Sequence, residues 1–324
     1  MHKNKLYVQG KLLFLTSRVE KDLPFATCKL INTAIWGILA RATETLDISV
    51  CHFIFMTNHF HMLVVVRNPA DVPMFVKHIK QETAAAINRL CGVRQNTVWT
   101  RGFDDPIVLT SDKALDIIKY IYKNPVNAHL VNSIEQYPGV SSWRMFKDKE
   151  YSKKCVWLKR SSFSVVHNLT QLSECTQTQL IDEFAGEDPI HHTFKLEPNA
   201  WMECFEEYQN ADCDSINQKI INEILCEERQ VEHPNGVLGA SKLKMQPVNK
   251  KHKSSKYSKR MFCICSNVEL RKKYISYLKY ISQKAKDAYK AIKKGICEIV
   301  FPPGTFMPGG AFLEPLPPTM FLAT

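Results

Sequence analysis

Two histidines near residue 60 are placed so that they could act together on one ligand. The segment 51–66 is rich in strand-forming residues and is interrupted at Thr57 and Asn58, so it predicts a β-hairpin. Successive strand residues alternate faces, and His59 and His61 therefore point the same way. Two adjacent imidazoles supply half of a metal site. A His-x-His pair is a weak motif alone, so the site depends on what else joins it.

A second polar pair follows about 60 residues later, on a predicted helix over residues 111–125. Ser111 is a good helix N-cap, and apolar residues recur behind it at helical spacing. Tyr120 and Asn124 are four residues apart and share one helix face. Tyr122 lies two positions from each and faces elsewhere.

The two segments together resemble a known family. Asn58-His59-Phe60-His61 followed by Tyr120-Ile121-Tyr122-Lys123-Asn124-Pro125-Val126 is similar to the single-tyrosine HUH transposases, most closely the REP-associated tyrosine transposases. Residues 6 to about 146 fit this pattern. The family usually has proline where this chain has Thr57, which concerns the turn rather than the chemistry.

The resemblance implies an enzyme that cleaves and transfers single-stranded DNA, at hairpin-forming repeat sequences. His59, His61 and Asn124 would hold a divalent cation. Tyr120 would attack a phosphodiester and give a covalent 5′-phosphotyrosine and a free 3′-OH. The expected partner is therefore single-stranded or hairpin DNA.

Residue chemistry supports this assignment. A free tyrosine has a pKa near 10, so it needs a cation that polarises the phosphate. Two imidazoles and one amide oxygen carry no charge, which suits Mg²⁺ or Mn²⁺ with phosphate and water as further ligands. Asn124 has a second interpretation, because Asn before Pro125 is also an ordinary helix N-cap arrangement.

Composition bounds the remaining possibilities. The chain has 324 residues, 45% of them hydrophobic, and a formal charge of +11. No apolar run is long enough for a membrane span and the start has no signal-like core, so we expect a cytoplasmic protein without a membrane partner. Its 11 cysteines are scattered without a Cys-x-x-Cys pair, which indicates reduced thiols.

The charge is distributed unevenly and suggests three regions. Residues 1–150 alternate strand and helix patterns, with a helix opened by Pro24, and predict an α+β ferredoxin-like sandwich with an antiparallel sheet, as the resemblance also implies. Residues 151–240 combine a basic connector with acidic segments that predict a small helical bundle. Residues 241–324 combine a basic segment, a long amphipathic helix and a turn-rich tail.

Two further stretches could bind DNA. Trp99, Arg101 and Phe103 are spaced two residues apart and could present stacking and phosphate-binding groups on one face. The alternative is that Trp99 and Phe103 belong to the core and Arg101 to a solvated edge. Lys250, Lys251 and Lys253 belong to the basic segment, which would either bind nucleic acid or dock on the acidic residues 174–229.

A different class of function stays open on this sequence. The same fold without catalysis would make a DNA-binding regulator or bridging protein, and a structural metal protein would bind the cation but no DNA. The presence of His59, His61, Tyr120 and Asn124 together favours the enzyme. The assembly stays open between a monomer and a homodimer.

Overall fold

The structure is a computed structural model that describes residues 6–20, 24–25, 27–93, 97–250, 261–296, 299–302 and 312–313. The first region has seven main elements in the order strand, helix, strand, strand, helix, strand, helix. They are β1 (Leu12–Arg18), α1 (Lys29–Thr45), β2 (Ile48–Phe55), β3 (His59–Val66), α2 (Asp71–Leu90), β4 (Ile107–Val108) and α3 (Ser111–Asn127).

The sheet confirms the predicted ferredoxin-like arrangement. Its strand order begins β2-β3-β1-β4, and each of these neighbours pairs antiparallel. The hairpin of β2 and β3 turns at residues 56–58, where the sequence predicts it. The strands bury both faces, because helices cover the sheet on each side.

Alternation along β3 sends its side chains to two different layers. Phe60 packs against Trp99, whose indole nitrogen donates to the Thr83 hydroxyl of α2. His61 faces the other way and contacts Tyr120 of α3. The sheet therefore lies between α1 and α2 on one face and α3 on the other, and the histidines belong to the α3 side.

Two predicted helix starts need correction. α1 begins at Lys29 rather than at Pro24. The N-cap of α3 is Thr110, so Ser111 is the first helical residue and not the cap. Asn124 and Pro125 lie inside α3. Asn124 is therefore not a helix N-cap, and that alternative is removed.

The rest of the chain adds elements around this unit. They are α4 (Trp143–Lys147), β5 (Ser152–Val156), α5 (Glu174–Ala185), β6 (His191–Lys195), α6 (Cys213–Glu228), α7 (Ala240–Lys244), β7 (Cys263–Ile264), α8 (Val268–Lys293), β8 (Val300–Phe301) and β9 (Phe312–Leu313). Residues 200–204 and 206–208 form short 3₁₀ helices. In the described part of the chain, no helix is both long and apolar enough to cross a membrane.

The acidic helices that follow the basic connector do not pack together as the predicted bundle. α5 packs on α1, α6 packs on α3, and the ribbon of β5 and β6 packs on α1. These helices are short and amphipathic, and each buries its apolar side against the first region instead of against another acidic helix. β7 extends the central sheet by pairing parallel with β4. Buried residues from Tyr7 to Tyr274 thus form one continuous hydrophobic core.

A buried polar network ties the first region to the second. His52 on β2 contacts the Tyr122 hydroxyl through Nδ1 at 2.7 Å and the Pro198 carbonyl through Nε2 at 3.1 Å. A carbonyl only accepts, so Nε2 carries the proton and Nδ1 accepts from Tyr122. Burial lowers the pKa of His52 to about 3. The ring is therefore neutral at physiological pH and joins segments 146 residues apart.

Candidate active site

The two histidines lie side by side on β3, as predicted. Their ring centroids are 4.7 Å apart. The neighbouring strand β1 pairs Thr16 with His61 and Arg18 with His59. Sequence reasoning missed these β1 residues: the apolar run of β1 ends in Thr16, Ser17 and Arg18, and alternation along the strand places Thr16 and Arg18 on one face.

Each imidazole is oriented through its Nδ1 atom. His59 Nδ1 lies 2.6 Å from Asn58 Oδ1, and His61 Nδ1 lies 2.9 Å from Thr16 Oγ1. The amide oxygen of Asn58 only accepts, so the proton of His59 sits on Nδ1 and Nε2 keeps its lone pair. Metal-bound histidines are usually held in this way by a partner on the second ring nitrogen. The donor atoms therefore fit a cation bound through Nε2.

The environment also favours the neutral, ligating form of His61. Its residue is 2% exposed, and burial lowers its pKa well below the usual range, with smaller contributions from His59 and Arg18. Phe14 stacks on the ring with centroids 5.3 Å apart. An imidazolium cannot bind a cation, so this environment keeps His61 available as a ligand near neutral pH.

Tyr120 completes the cluster from α3. Its hydroxyl is 3.4 Å from His61 Nε2, and the two ring centroids are 5.1 Å apart. Phe14 packs edge-on against the tyrosine ring. Tyr120 is nevertheless 44% exposed, so an external substrate can reach its hydroxyl. The fold thus brings a potential nucleophile to a histidine 59 positions earlier in the chain.

Tyr122 is in a different environment, as the helical spacing predicts. It is fully buried, and its hydroxyl contacts His52 and, at 2.9 Å, the Ser142 hydroxyl. Burial raises its pKa far above that of a free tyrosine. Tyr122 is therefore a core residue that holds α3 on the sheet.

Asn124 lies one turn beyond Tyr120 on α3 and is 9% exposed. Its place inside the helix fits the shared face that the sequence predicts. Within the described residues, no cluster of three or more His, Cys, Asp or Glu side chains could hold a metal ion. The candidate ligand set differs from such a cluster because its third member is a carboxamide.

The predicted base-stacking role of Trp99 is contradicted by its position. Trp99 is 6% exposed and packs against Phe25, with ring centroids 4.7 Å apart, and against Phe60. Phe103 is partly buried against the same core, whereas Arg101 is exposed. The core interpretation therefore holds for Trp99, because burying an aromatic ring removes a large apolar surface from water. Arg101 stays available for a phosphate.

The predicted basic contacts in the last region are only partly described. Lys250 is exposed. Lys251 and Lys253 lie outside the described residues.

Helix α6 braces the tyrosine helix, an interaction that sequence reasoning missed. Lys119 pairs with Glu223 at 3.2 Å and with Glu227 at 3.1 Å, and Lys123 pairs with Glu227 at 2.5 Å. The hydrogen bond from Lys123 lowers the pKa of Glu227. The two lysines are four residues apart on α3, and the two glutamates are four residues apart on α6. This matched spacing is the signal that could have revealed the interaction.

Comparison with known proteins agrees with the resemblance. Residues 24–124 match the family model for transposases described as IS200 like, a stretch that contains both histidines and Tyr120 and ends at Asn124. This match confirms the resemblance for the first region. A solved structure of a REP-associated tyrosine transposase bound to a REP hairpin is also similar, with 15% sequence identity and a TM-score of 0.38 over 46% of this chain and 87% of that one. No curated protein sequence matches the chain.

Proposed function

We propose that this protein is a transposase-type DNA strand transferase that cleaves single-stranded DNA through Tyr120. In the proposed step, the Tyr120 oxygen attacks a phosphodiester phosphorus and the bond from phosphorus to the 3′ oxygen breaks. The products are a 5′-phosphotyrosine and a free 3′-OH. The phenolic proton passes to water that reaches the partly exposed Tyr120, and the departing 3′ oxygen takes a proton from water.

The observation that carries this proposal is the 3.4 Å approach of the Tyr120 hydroxyl to His61 Nε2. A nucleophile that close to the paired histidines can share one phosphate with a cation that they bind. Tyr122, its neighbour on α3, has no such approach, because its hydroxyl is buried in the core.

His59, His61 and Asn124 would hold Mg²⁺ or Mn²⁺. When bound, the cation would polarise the phosphate and offset the charge that develops on it. The chain's own contribution is orientation: Asn58 fixes the tautomer of His59, and Thr16 fixes the ring of His61. Because burial lowers its pKa, His61 also does not bind a proton in place of the cation near neutral pH.

Arg18 supplies positive charge at the same place. It is exposed and lies opposite His59 in the neighbouring strand, and its charge helps to lower the pKa of His61. A guanidinium at this position would attract the DNA phosphate and align it with the tyrosine.

The direct test is incubation with single-stranded hairpin oligonucleotides and Mn²⁺, followed by a denaturing gel for covalent protein-DNA species. We expect an adduct that EDTA prevents and that Tyr120→Phe lacks. Binding of the hairpin without any adduct under all metal conditions would instead make the protein a DNA-binding regulator. The predicted cytoplasmic location and the homodimer stay predictions.

A further inference from the structure

The solvent side of α8 carries one long row of lysines. Lys272, Lys279, Lys286 and Lys293 are spaced seven residues apart and all are exposed. Seven residues are nearly two helical turns, so neighbours in the row lie on almost the same side and about 10 Å apart along the axis. The whole row extends about 31 Å. The opposite side of the helix buries Tyr274, Ile281, Ala285 and Ala288.

These lysines are little engaged within the protein. Lys272 pairs with Glu269 at 2.9 Å, but both side chains are mostly exposed, and such surface pairs are weak. Among the described residues, Lys279, Lys286 and Lys293 form no ion pair. The row is therefore available to an external anion.

Several acidic residues of the middle region already pair with lysines outside α8, which favours an external partner for the row. Glu223 and Glu227 pair with lysines of α3, and Asp214 pairs with Lys149. One acid does pair with the basic region: Glu174 contacts Lys244 of α7 at 2.8 Å. In the described chain, the basic region contacts the acidic one through α7, while the lysine row on α8 faces solvent.

We infer that the row on α8 binds the phosphate backbone of a DNA duplex, the stem that adjoins the strand attacked by Tyr120. Its length is close to one helical turn of DNA, about 34 Å, so several lysines can reach phosphates of one duplex at once. Single strands are usually held by aromatic side chains that stack on bases. The row itself has none: the exposed Tyr280 of α8 lies about 100° around the helix from Lys279 and already has the Lys284 ammonium over its ring. This favours the regular backbone of a duplex over a single strand.

This inference rests on the proposed function only for the identity of the nucleic acid, so its test is binding rather than cleavage. The variant is Lys272→Gln, Lys279→Gln and Lys286→Gln together, a change that keeps helix propensity. Its affinity is measured across a salt series for a hairpin oligonucleotide with a stem of about one turn, ~10 base pairs, and for an unpaired strand of equal length. Removal of one lysine–phosphate interaction with the duplex should flatten the slope of log affinity against log salt by about 0.9.

The matched control replaces Lys154, Lys195 and Lys219 by Gln. These exposed residues lie on β5, β6 and α6, and the control changes the net charge equally. We expect the slope for the hairpin to flatten by roughly two to three in the α8 variant and to stay near wild type in the control.

Three outcomes overturn the inference: an unchanged slope for the α8 variant, an equal change on the unpaired strand, or an equal change in the control. Lys279→Gln alone, with an expected change of about 0.9, serves if the triple variant melts early. Failure of the proposed function would look different, because wild type would form no covalent adduct whatever the slopes.

Discussion

Tyr120→Phe and Tyr122→Phe each remove one hydroxyl from the same helix, and the surroundings of the two hydroxyls predict opposite losses. The first hydroxyl belongs to a residue that is 44% exposed, and water can replace its interaction at 3.4 Å with His61. We therefore expect Tyr120→Phe to change the free energy of unfolding by less than about 0.5 kcal/mol. Formation of the covalent DNA adduct should be abolished, because no nucleophile is left.

The destabilisation expected for Tyr122→Phe follows from the hydrogen bonds around its hydroxyl. His52 Nε2 donates to the Pro198 carbonyl, so His52 Nδ1 depends on the Tyr122 hydroxyl as its donor at 2.7 Å. A switch of tautomer would leave the Pro198 carbonyl without its donor and the Nδ1–H group without an acceptor. Ser142 keeps a partner, since its oxygen accepts from the Phe53 amide at 2.8 Å. One buried acceptor is left unpaired, which costs about 1–3 kcal/mol.

The assay measures adduct formation and urea unfolding on the same preparations. Tyr122→Phe should lose about 1–3 kcal/mol of unfolding free energy and retain the adduct at temperatures where it is folded. A folded Tyr122→Phe variant without adduct, together with an active Tyr120→Phe variant, would refute the assignment of the nucleophile. An unchanged unfolding free energy for Tyr122→Phe would refute the reasoning about the buried network.

Three further predictions concern the surroundings of this helix. His61→Ala should abolish both the adduct and Mn²⁺ binding. Thr16→Val should weaken Mn²⁺ binding by about 10- to 100-fold with little effect on folding. Calorimetric titration with Mn²⁺ measures both affinities, and full Mn²⁺ affinity in His61→Ala would exclude the histidine as a ligand. Burial lowers the pKa of His52 to about 3, whereas its pKa in the unfolded chain is about 6.5. Between pH 6.5 and pH 3 the unfolded state therefore binds one more proton than the folded state, and the free energy of unfolding decreases as pH falls below about 6.5. By pH 5 this amounts to about 2 kcal/mol, and His52→Gln should show a correspondingly flatter dependence of urea unfolding on pH; an equal dependence in both proteins would contradict the burial argument. The pair of Lys123 with Glu227 is partly exposed, so a double-mutant cycle with Gln at each position should give a coupling of about 1 kcal/mol or less; a coupling of several kcal/mol would show that α6 holds α3 far more tightly than these exposures imply.

Local periodicity explains most of what could be predicted. The hairpin turn, the common face of His59 and His61, and the separation of Tyr120 from Tyr122 all depend on residues within one strand or one turn of helix. The fold class follows from the order of such elements. The starts of α1 and α3 differ from the predicted ones because Pro24 and Ser111 are favourable at helix starts in general, whereas the actual boundary depends on how the preceding chain packs.

The amino-acid pattern was enough to show which residues of this protein can do chemistry and which of them share a face, since strand and helix repeats are local properties. The groups that surround those residues could be known only from the folded chain. Strand pairing places Thr16 and Arg18 beside the histidines, packing buries Trp99, and glutamates of α6 form ion pairs with lysines of α3. These contacts join residues far apart in the chain, and burial and charge pairing across the whole fold select among partners that local patterns leave equivalent.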